Sequence, residues 1–194
     1  MNIIENRIQN KIPFNHYTFN NVLDNFDLTF LSKINLKNSS TLNGKRTSNK
    51  NRFFITKKDM NYYCFKSIVN YFLNEKIINF FEKESNRKIR GNYLRVEILE
   101  DKDDSYLEPH CDIKEKILSL MIYLNESNED ESIGTSLYDK NKKLIKTVPY
   151  INNSGFYFYP DNNTWHGLEK IKLKNKRKAI MVNYCTFKTE FKVC

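Results

Sequence analysis

Apolar residues recur at helical spacing between Asp59 and Asn86. Positions three and four residues apart share one face of an α-helix, so this segment predicts one or two amphipathic helices. The apolar positions are Phe65, Ile68, Val69, Phe72, Leu73, Ile77, Phe80 and Phe81. The preceding polar sequence GKRTSNKNR (Gly44 to Arg52) predicts a loop that leads into a short strand, RFFIT.

From Gly91 onwards, the pattern changes to short apolar and aromatic runs separated by polar turns. These runs are NYLRVEILE, KILSLMIYL, GTSLY, GFYFY and RKAIMVNYCTF. Short strands at this spacing are typical of an antiparallel sandwich or barrel. The sequence therefore predicts an α+β, mainly β protein in which helices from a mainly helical part (residues 1–90) pack on a β core (residues 91–190).

The length of 194 residues suits one domain over residues 1–194 better than two independent domains. The first residues, MNIIENRIQNKIPF, contain no apolar signal region, and the sequence contains no run of about 18 apolar residues that would predict a membrane span. We therefore expect a soluble, cytoplasmic protein. The four cysteines are widely separated and form no C-x-x-C pair, which predicts free thiols.

The formal net charge is +9, and most of it comes from lysines spread along the chain. Clustered cations bind nucleic acids by releasing counterions from the phosphates, so a nucleic-acid partner stays open. A basic surface alone does not define a binding motif, and the charge therefore adds an alternative without deciding between functions.

The sequence LEPHCDIK places His110 and Asp112 two residues apart. In an extended segment the side chains at i and i+2 point to the same face, so these two converge while Cys111 points away. Pro109 disfavours a helical conformation for Glu108 and supports an extended segment. Taken alone, the H-x-D pattern is explained better by polar side chains at the end of a surface strand than by a metal site.

A second histidine, His166 in TWHGLEK, changes this interpretation. It lies at a strand boundary in the same β-rich half, and a basic strand that contains Arg177 follows it. Two neutral imidazoles and one carboxylate form the facial triad that holds Fe(II) and leaves adjacent coordination positions open. The third histidine, His16, lies outside the β-rich half, and we expect it to have a surface or packing role.

The order of these features resembles the Fe(II)/2-oxoglutarate-dependent dioxygenases, most closely the prolyl-hydroxylase-like branch, over about residues 93–187. The matching features are the H-x-D motif, a hydrophobic strand ending in Tyr123-Leu124-Asn125, the glycine-led strand GTSLY, an aromatic strand, the distal His166 and a basic residue on the last strand. The resemblance implies a double-stranded β-helix, or jelly-roll, core. It also implies Fe(II) as the cofactor, with 2-oxoglutarate and O2 as co-substrates.

The same resemblance assigns roles to five residues. His110, Asp112 and His166 are the expected iron ligands and catalytic residues. Arg177 is expected to pair with the distal carboxylate of 2-oxoglutarate, because its fork geometry suits bidentate recognition. Tyr123 either hydrogen-bonds that carboxylate or packs in the core.

Three positions bear on the branch of the family. Ile133-Gly134 replaces the Gly-Gly pair that is common before the fourth core strand, and Ala179 stands where some branches have Ser or Thr. The carboxylate of Asp112 occupies the place that Gly or Ala has in halogenating relatives, so the resemblance implies hydroxylation of an unactivated C–H bond.

The substrate is expected to be a polar small molecule or peptide: an amino acid, a prolyl residue or a sugar-like metabolite. Tyr138, Trp165 and Arg52, together with Arg46, are the candidate substrate-binding residues, since aromatic rings and arginines near a pocket suit such ligands. Two alternatives to an oxygenase are a metal-binding cupin-like protein without oxygenase activity and a basic nucleic-acid-binding protein.

Overall fold

The structure is a computed structural model that describes residues 1–34, 40–44, 47–126 and 128–194. The strands are β1 (Ile8–Asn10), β2 (His16–Asn20), β3 (Ser40–Gly44), β4 (Thr47–Phe54), β5 (Tyr93–His110), β6 (Lys116–Leu124), β7 (Thr135–Tyr138), β8 (Leu144–Val148), β9 (Ser154–Phe158), β10 (His166–Leu168), β11 (Arg177–Cys185) and β12 (Phe191–Lys192). The helices are α1 (Asn25–Lys33), α2 (Tyr63–Leu73) and α3 (Glu75–Ser85). In this part of the chain, no helix combines the length and the apolarity needed to cross a bilayer.

The segment with helical periodicity forms two helices, α2 and α3, as predicted. They meet at Asn74, whose side-chain oxygen accepts a hydrogen bond from the backbone N–H of Lys76. An asparagine at this position satisfies a free N–H group at the start of α3 and so favours a new helix there. Five residues of α2 and three of α3 are buried against the sheet.

Residues 1–90 also contribute strands. β2 extends the sheet by pairing with β9, and β4 pairs with β5. The predicted loop from Gly44 to Arg52 is therefore wrong for the described residues, because Thr47 to Arg52 belong to β4. Pairing with the long strand β5 satisfies the backbone of β4 whatever the polarity of its side chains, which periodicity alone does not reveal. Lys45 and Arg46 lie outside the described residues.

The long strand β5 connects the two layers of one continuous curled sheet. Its first half pairs with β11, from Tyr93 opposite Cys185 to Asp101 opposite Arg177. Asp104 then adopts a positive φ of 63°, and the last part of β5 pairs with β10. The sheet has the order β1-β2-β9-β6-β11-β5-β10-β7-β8, so β5 lies between the layer β1-β2-β9-β6-β11 and the layer β10-β7-β8. This arrangement is the double-stranded β-helix that the resemblance implied.

Alternation along β11 separates the hydrophobic core from the interior of the β-helix. Ile180, Val182 and Tyr184 pack with the helices in one hydrophobic cluster, while Ala179 belongs to a second cluster inside the β-helix. Burying side chains of this size contributes roughly 1.5–3 kcal/mol each. Because one face of β11 stabilises the fold, the opposite face is available to position polar groups. The four cysteines are free thiols, as expected.

Candidate active site

His110, Asp112 and His166 come together at one end of the β-helix. β5 ends at His110, β10 begins at His166, and the two histidines are directly opposite each other in the β5/β10 ladder. Their ring centroids are 4.4 Å apart. One ligand atom from each of the three residues lies within 4.8 Å of the other two. The structure therefore brings together the three residues that the sequence predicted as a metal site.

Backbone carbonyls orient both imidazoles. Nδ1 of His110 lies 2.9 Å from the carbonyl oxygen of Glu108, and Nδ1 of His166 lies 2.9 Å from that of Thr164. A carbonyl can only accept a hydrogen bond, so each neutral ring carries its proton on Nδ1 and its lone pair on Nε2. Metal-binding histidines are typically oriented in this way.

Asp112 is held by two donors. Lys116 Nζ donates to Oδ1 at 2.5 Å, and Ser119 Oγ donates to Oδ2 at 2.5 Å. Burial alone would raise the pKa of Asp112, but the Lys116 ammonium, His166 and the two hydrogen bonds outweigh it and lower the pKa to about 2. The carboxylate is therefore ionised at neutral pH.

His166 is neutral at the same pH. Its burial lowers its pKa to about 4, against the opposing effect of the nearby Asp112 carboxylate. An ionised carboxylate and a neutral imidazole are the protonation states in which these side chains bind metals. The donor set and its protonation thus fit a divalent iron ion.

Arg177 lies inside the β-helix at the start of β11 and is 2% exposed. Its Nη1 donates to Asp101 Oδ2 at 2.5 Å, and its Nε donates to the carbonyl oxygen of Ile133 at 2.8 Å. The guanidinium lies 5.5 Å from the ring centroid of Tyr123 and 5.3 Å from that of Tyr150. Neighbouring groups therefore hold the cation in one orientation.

One cavity connects Arg177 with His110, Asp112 and His166, and its volume is about 80 Å³. Its apolar wall includes Leu120, Met121, Phe156, Phe158, Leu168 and Met181. A cavity with a charged residue at a distance from a metal-ligand cluster can bind a small dianionic ligand through both ends.

Tyr123 is fully buried beside Arg177. Its hydroxyl donates to Thr135 Oγ1 at 2.7 Å and accepts from the Thr135 backbone N–H at 3.1 Å. Thr135 lines the cavity, whereas Tyr123 is not among the described residues that do so. The ring therefore packs in the core, and direct contact between its hydroxyl and 2-oxoglutarate stays a prediction.

The three candidate substrate-binding residues lie elsewhere. The Tyr138 hydroxyl donates to Glu169 at 2.5 Å, Trp165 packs 4.8 Å from the Lys142 ammonium, and Arg52 pairs with Glu97. None of the three is among the described residues lining the cavity. Arg46, the fourth candidate, lies outside the described residues.

Sequence reasoning missed Lys116 and Ser119, both of which contact Asp112 and line the cavity. The period-two pattern of KILSLMIYL could have pointed to Ser119, because it places Ser119 on the same strand face as Met121 and Tyr123. Lys116 contacts Asp112 only because of the turn between β5 and β6, which periodicity does not describe.

Residues 93–185 match the profile of the 2OG-Fe(II) oxygenase superfamily. This part of the chain is a domain of that superfamily. The match spans β5 to β11 and contains all three members of the His-Asp-His cluster as well as Arg177. Members of the superfamily use Fe(II), 2-oxoglutarate and O2, so the cofactor prediction is confirmed at the level of the family.

Solved structures of other 2OG-Fe(II) oxygenases have the same fold. A prolyl-4-hydroxylase from Pseudomonas putida aligns with a TM-score of 0.71 and 8% identity, over 89% of this chain and 93% of the other. The viral collagen prolyl hydroxylase from Paramecium Bursaria Chlorella virus-1 aligns with a TM-score of 0.58 and 15% identity, over 88% and 96%. A prolyl hydroxylase from Trichoplax adhaerens, in complex with a hypoxia inducible factor peptide, aligns with a TM-score of 0.58 and 16% identity, over 88% and 83%. Among curated protein sequences, no match was found.

Proposed function

We propose that this oxygenase is an Fe(II)/2-oxoglutarate-dependent hydroxylase in which His110, Asp112 and His166 hold the iron. The observation that carries the proposal is the convergence of three metal-binding atoms within 4.8 Å. Two imidazoles and one carboxylate form the ligand set of non-haem Fe(II) oxygenases. Arg177 in the same cavity favours the oxygenase over a cupin-like protein that binds only metal.

When bound, Fe(II) supplies the oxygen chemistry that hydroxylates a C–H bond while 2-oxoglutarate is converted to succinate and CO2. The protein would position 2-oxoglutarate and keep water away from the reacting atoms. Arg177 would bind the distal carboxylate of 2-oxoglutarate through its guanidinium, which the salt bridge to Asp101 already orients. The apolar wall of the cavity excludes water from the reacting atoms.

The substrate is a small molecule or a peptide. The prolyl hydroxylases with the same fold support a prolyl residue as one candidate. We therefore include proline-containing peptides beside free amino acids and sugars in the set of compounds to be tested for hydroxylation.

The decisive experiment is an anaerobic titration of the full chain with Fe(II), followed by 2-oxoglutarate. We expect a visible metal-to-ligand charge-transfer band once both are present, because 2-oxoglutarate binds through the iron in this class of enzyme. Iron binding without a band would contradict the proposal and favour the cupin-like alternative. Succinate release in air, with and without each candidate substrate, then measures turnover.

Replacing Ser119 with alanine should weaken Fe(II) binding. The Ser119 hydroxyl is a donor that fixes Oδ2 of Asp112, and the loss of such a partner typically lowers metal affinity about 10- to 100-fold. Competition with a chromophoric chelator measures the affinity. Ser32→Ala is the matched control, because its exposed hydroxyl bonds Glu126 and neither residue lines the cavity that contains the triad. Equal affinities for both variants would show that Ser119 does not orient Asp112.

A further inference from the structure

Two edge strands of the curled sheet approach each other at the surface, and we call the depression between them the edge groove. Its lining consists of Asn10, Lys11, Ile12, Ile145 and Lys146. β1 and β8 are the two ends of the strand order, and among the described strands each pairs with a single neighbour. Lys146 Nζ donates to Asn10 Oδ1 at 3.0 Å, so one side chain spans the distance between the two edges.

Both strands leave backbone groups open on their outer sides. A strand at the edge of a sheet presents a row of N–H and C=O groups that no neighbouring strand pairs. An extended peptide can pair with such groups and add itself to the sheet as a further strand. β8 has five residues and β1 has three, so β8 offers the longer row to a partner.

Large apolar side chains are exposed around the groove. Ile12 and Ile145, which are 70% and 42% exposed, line it, while Leu144 of β8 and Ile8 of β1 are 43% and 66% exposed. These are four of the nine large hydrophobic residues that are exposed in the described part of the chain. Single exposed apolar side chains need no explanation, whereas a group of them at one place indicates an interaction site. A partner that binds here is therefore expected to bring apolar side chains of its own.

The surroundings of the groove are strongly basic. Residues 139–146 contain four lysines and one carboxylate, and a fifth lysine, Lys11, lines the groove. None of these five lysines forms a salt bridge with a described carboxylate. The carboxylate in this segment, that of Asp139, accepts hydrogen bonds from the backbone N–H groups of Asn141 and Lys143. The excess of positive charge favours a partner with acidic side chains.

These features distinguish between the candidate occupants. If β8 paired with β8 of a second copy of this chain, two lysine-rich edges would face each other, and like charges destabilise a strand pair. A single-stranded nucleic acid binds through stacking on aromatic rings as well as through cations, and the described lining of the groove contains no aromatic ring. A membrane surface would cover the apolar and basic side chains and leave the backbone edge unpaired. An acidic peptide uses the lysines, the apolar side chains and the open backbone together.

We propose that the edge groove binds an extended acidic peptide segment of another protein, which pairs with β8 as an additional strand. Its apolar side chains pack on Ile12 and Ile145, and its carboxylates pair with Lys11 and Lys146. Because side chains alternate along a strand, a peptide in which acidic and apolar residues alternate suits this surface. The interaction goes beyond the proposed hydroxylase function and does not depend on iron.

Fluorescence anisotropy of a labelled peptide of about eight residues, in which glutamate alternates with valine, tests the proposal. The full chain is titrated into this peptide, into the same sequence with lysine in place of glutamate, and into the glutamate peptide with N-methylated valines. N-methylation removes backbone donors and keeps the charges. We expect the glutamate peptide to bind at least about tenfold more tightly than either of the others, because charge and backbone pairing both contribute.

A double variant locates the site on the protein. Lys11→Glu/Lys146→Glu reverses two charges in the groove and should weaken binding of the glutamate peptide about tenfold or more. Lys188→Glu/Lys192→Glu is the matched control, because it changes the net charge equally at exposed lysines that do not line the groove. We expect this control to bind the peptide as the wild type does.

Three results would overturn the proposal. Equal weakening in both double variants would attribute binding to the overall charge. Equal affinities of the wild type for the glutamate peptide and its N-methylated form would exclude the addition of a strand. The third result is no binding of the glutamate peptide, and binding of phosphatidylserine vesicles or of single-stranded DNA in its place would then identify the groove as a membrane or nucleic-acid contact.

Discussion

Replacing His166 with alanine is expected to abolish Fe(II) binding at micromolar iron, together with the charge-transfer band that 2-oxoglutarate produces. The imidazole supplies one of only three protein ligands in the proposed site, and its Nε2 lies 4.0 Å from Asp112 Oδ2. Loss of a group that merely orients a ligand costs about 10- to 100-fold in affinity, so loss of the ligand itself should cost more. Chelator competition measures the affinity, and the visible spectrum measures the band.

His16→Ala is the matched control for this experiment. His16 is also buried, and its Nδ1 also contacts a backbone carbonyl, that of Phe14, at 2.9 Å. It does not belong to the metal-ligand cluster, so we expect Fe(II) binding close to that of the wild type. Wild-type iron affinity in His166→Ala would exclude the proposed triad.

Replacing Arg177 with methionine is expected to have two separate effects. The first is a loss of about 3–5 kcal/mol in the free energy of unfolding, because the fully buried Asp101 carboxylate loses the guanidinium that neutralises it. The second is a loss of 2-oxoglutarate binding, because the distal carboxylate would lose its cation. Denaturant titration measures the first effect, and the charge-transfer band as a function of 2-oxoglutarate concentration measures the second.

The double variant Arg177→Met/Asp101→Asn separates these effects. It removes both charges of the buried pair, so most of the lost stability should return. Binding of 2-oxoglutarate should not return, because the variant still lacks the cation. Recovery of both properties would show that Arg177 acts only through the fold, and that another residue binds the distal carboxylate.

The elements of this fold that follow a strong periodicity could be predicted from the sequence. Helices α2 and α3 and strands β5, β6, β9 and β11 all appear at the predicted places. Strand β4 could not be predicted, because its polar residues are held by pairing with β5, a partner more than 40 residues away in sequence. Such long-range pairing overrides local preference.

The proposed metal site was predictable for a different reason. The i, i+2 spacing placed His110 and Asp112 on one face, while only the order of features along the chain linked them to His166. The substrate-binding residues could not be predicted in this way, since the sequence does not indicate whether an aromatic side chain at a strand end points toward the cavity or away from it. Tyr138 illustrates this point: its hydroxyl bonds Glu169 rather than facing the cavity.

The position of β11 has a consequence for the synthesis of the protein. This late strand lies between β5 and β6, which are both complete more than 50 residues earlier. Until β11 leaves the ribosome, each of these strands has an unpaired edge toward the gap that β11 fills, and such edges are prone to aggregation. Arg177 on β11 also meets Asp101 on β5 only at that moment. A nascent chain therefore lacks part of the proposed 2-oxoglutarate site until this central strand has inserted.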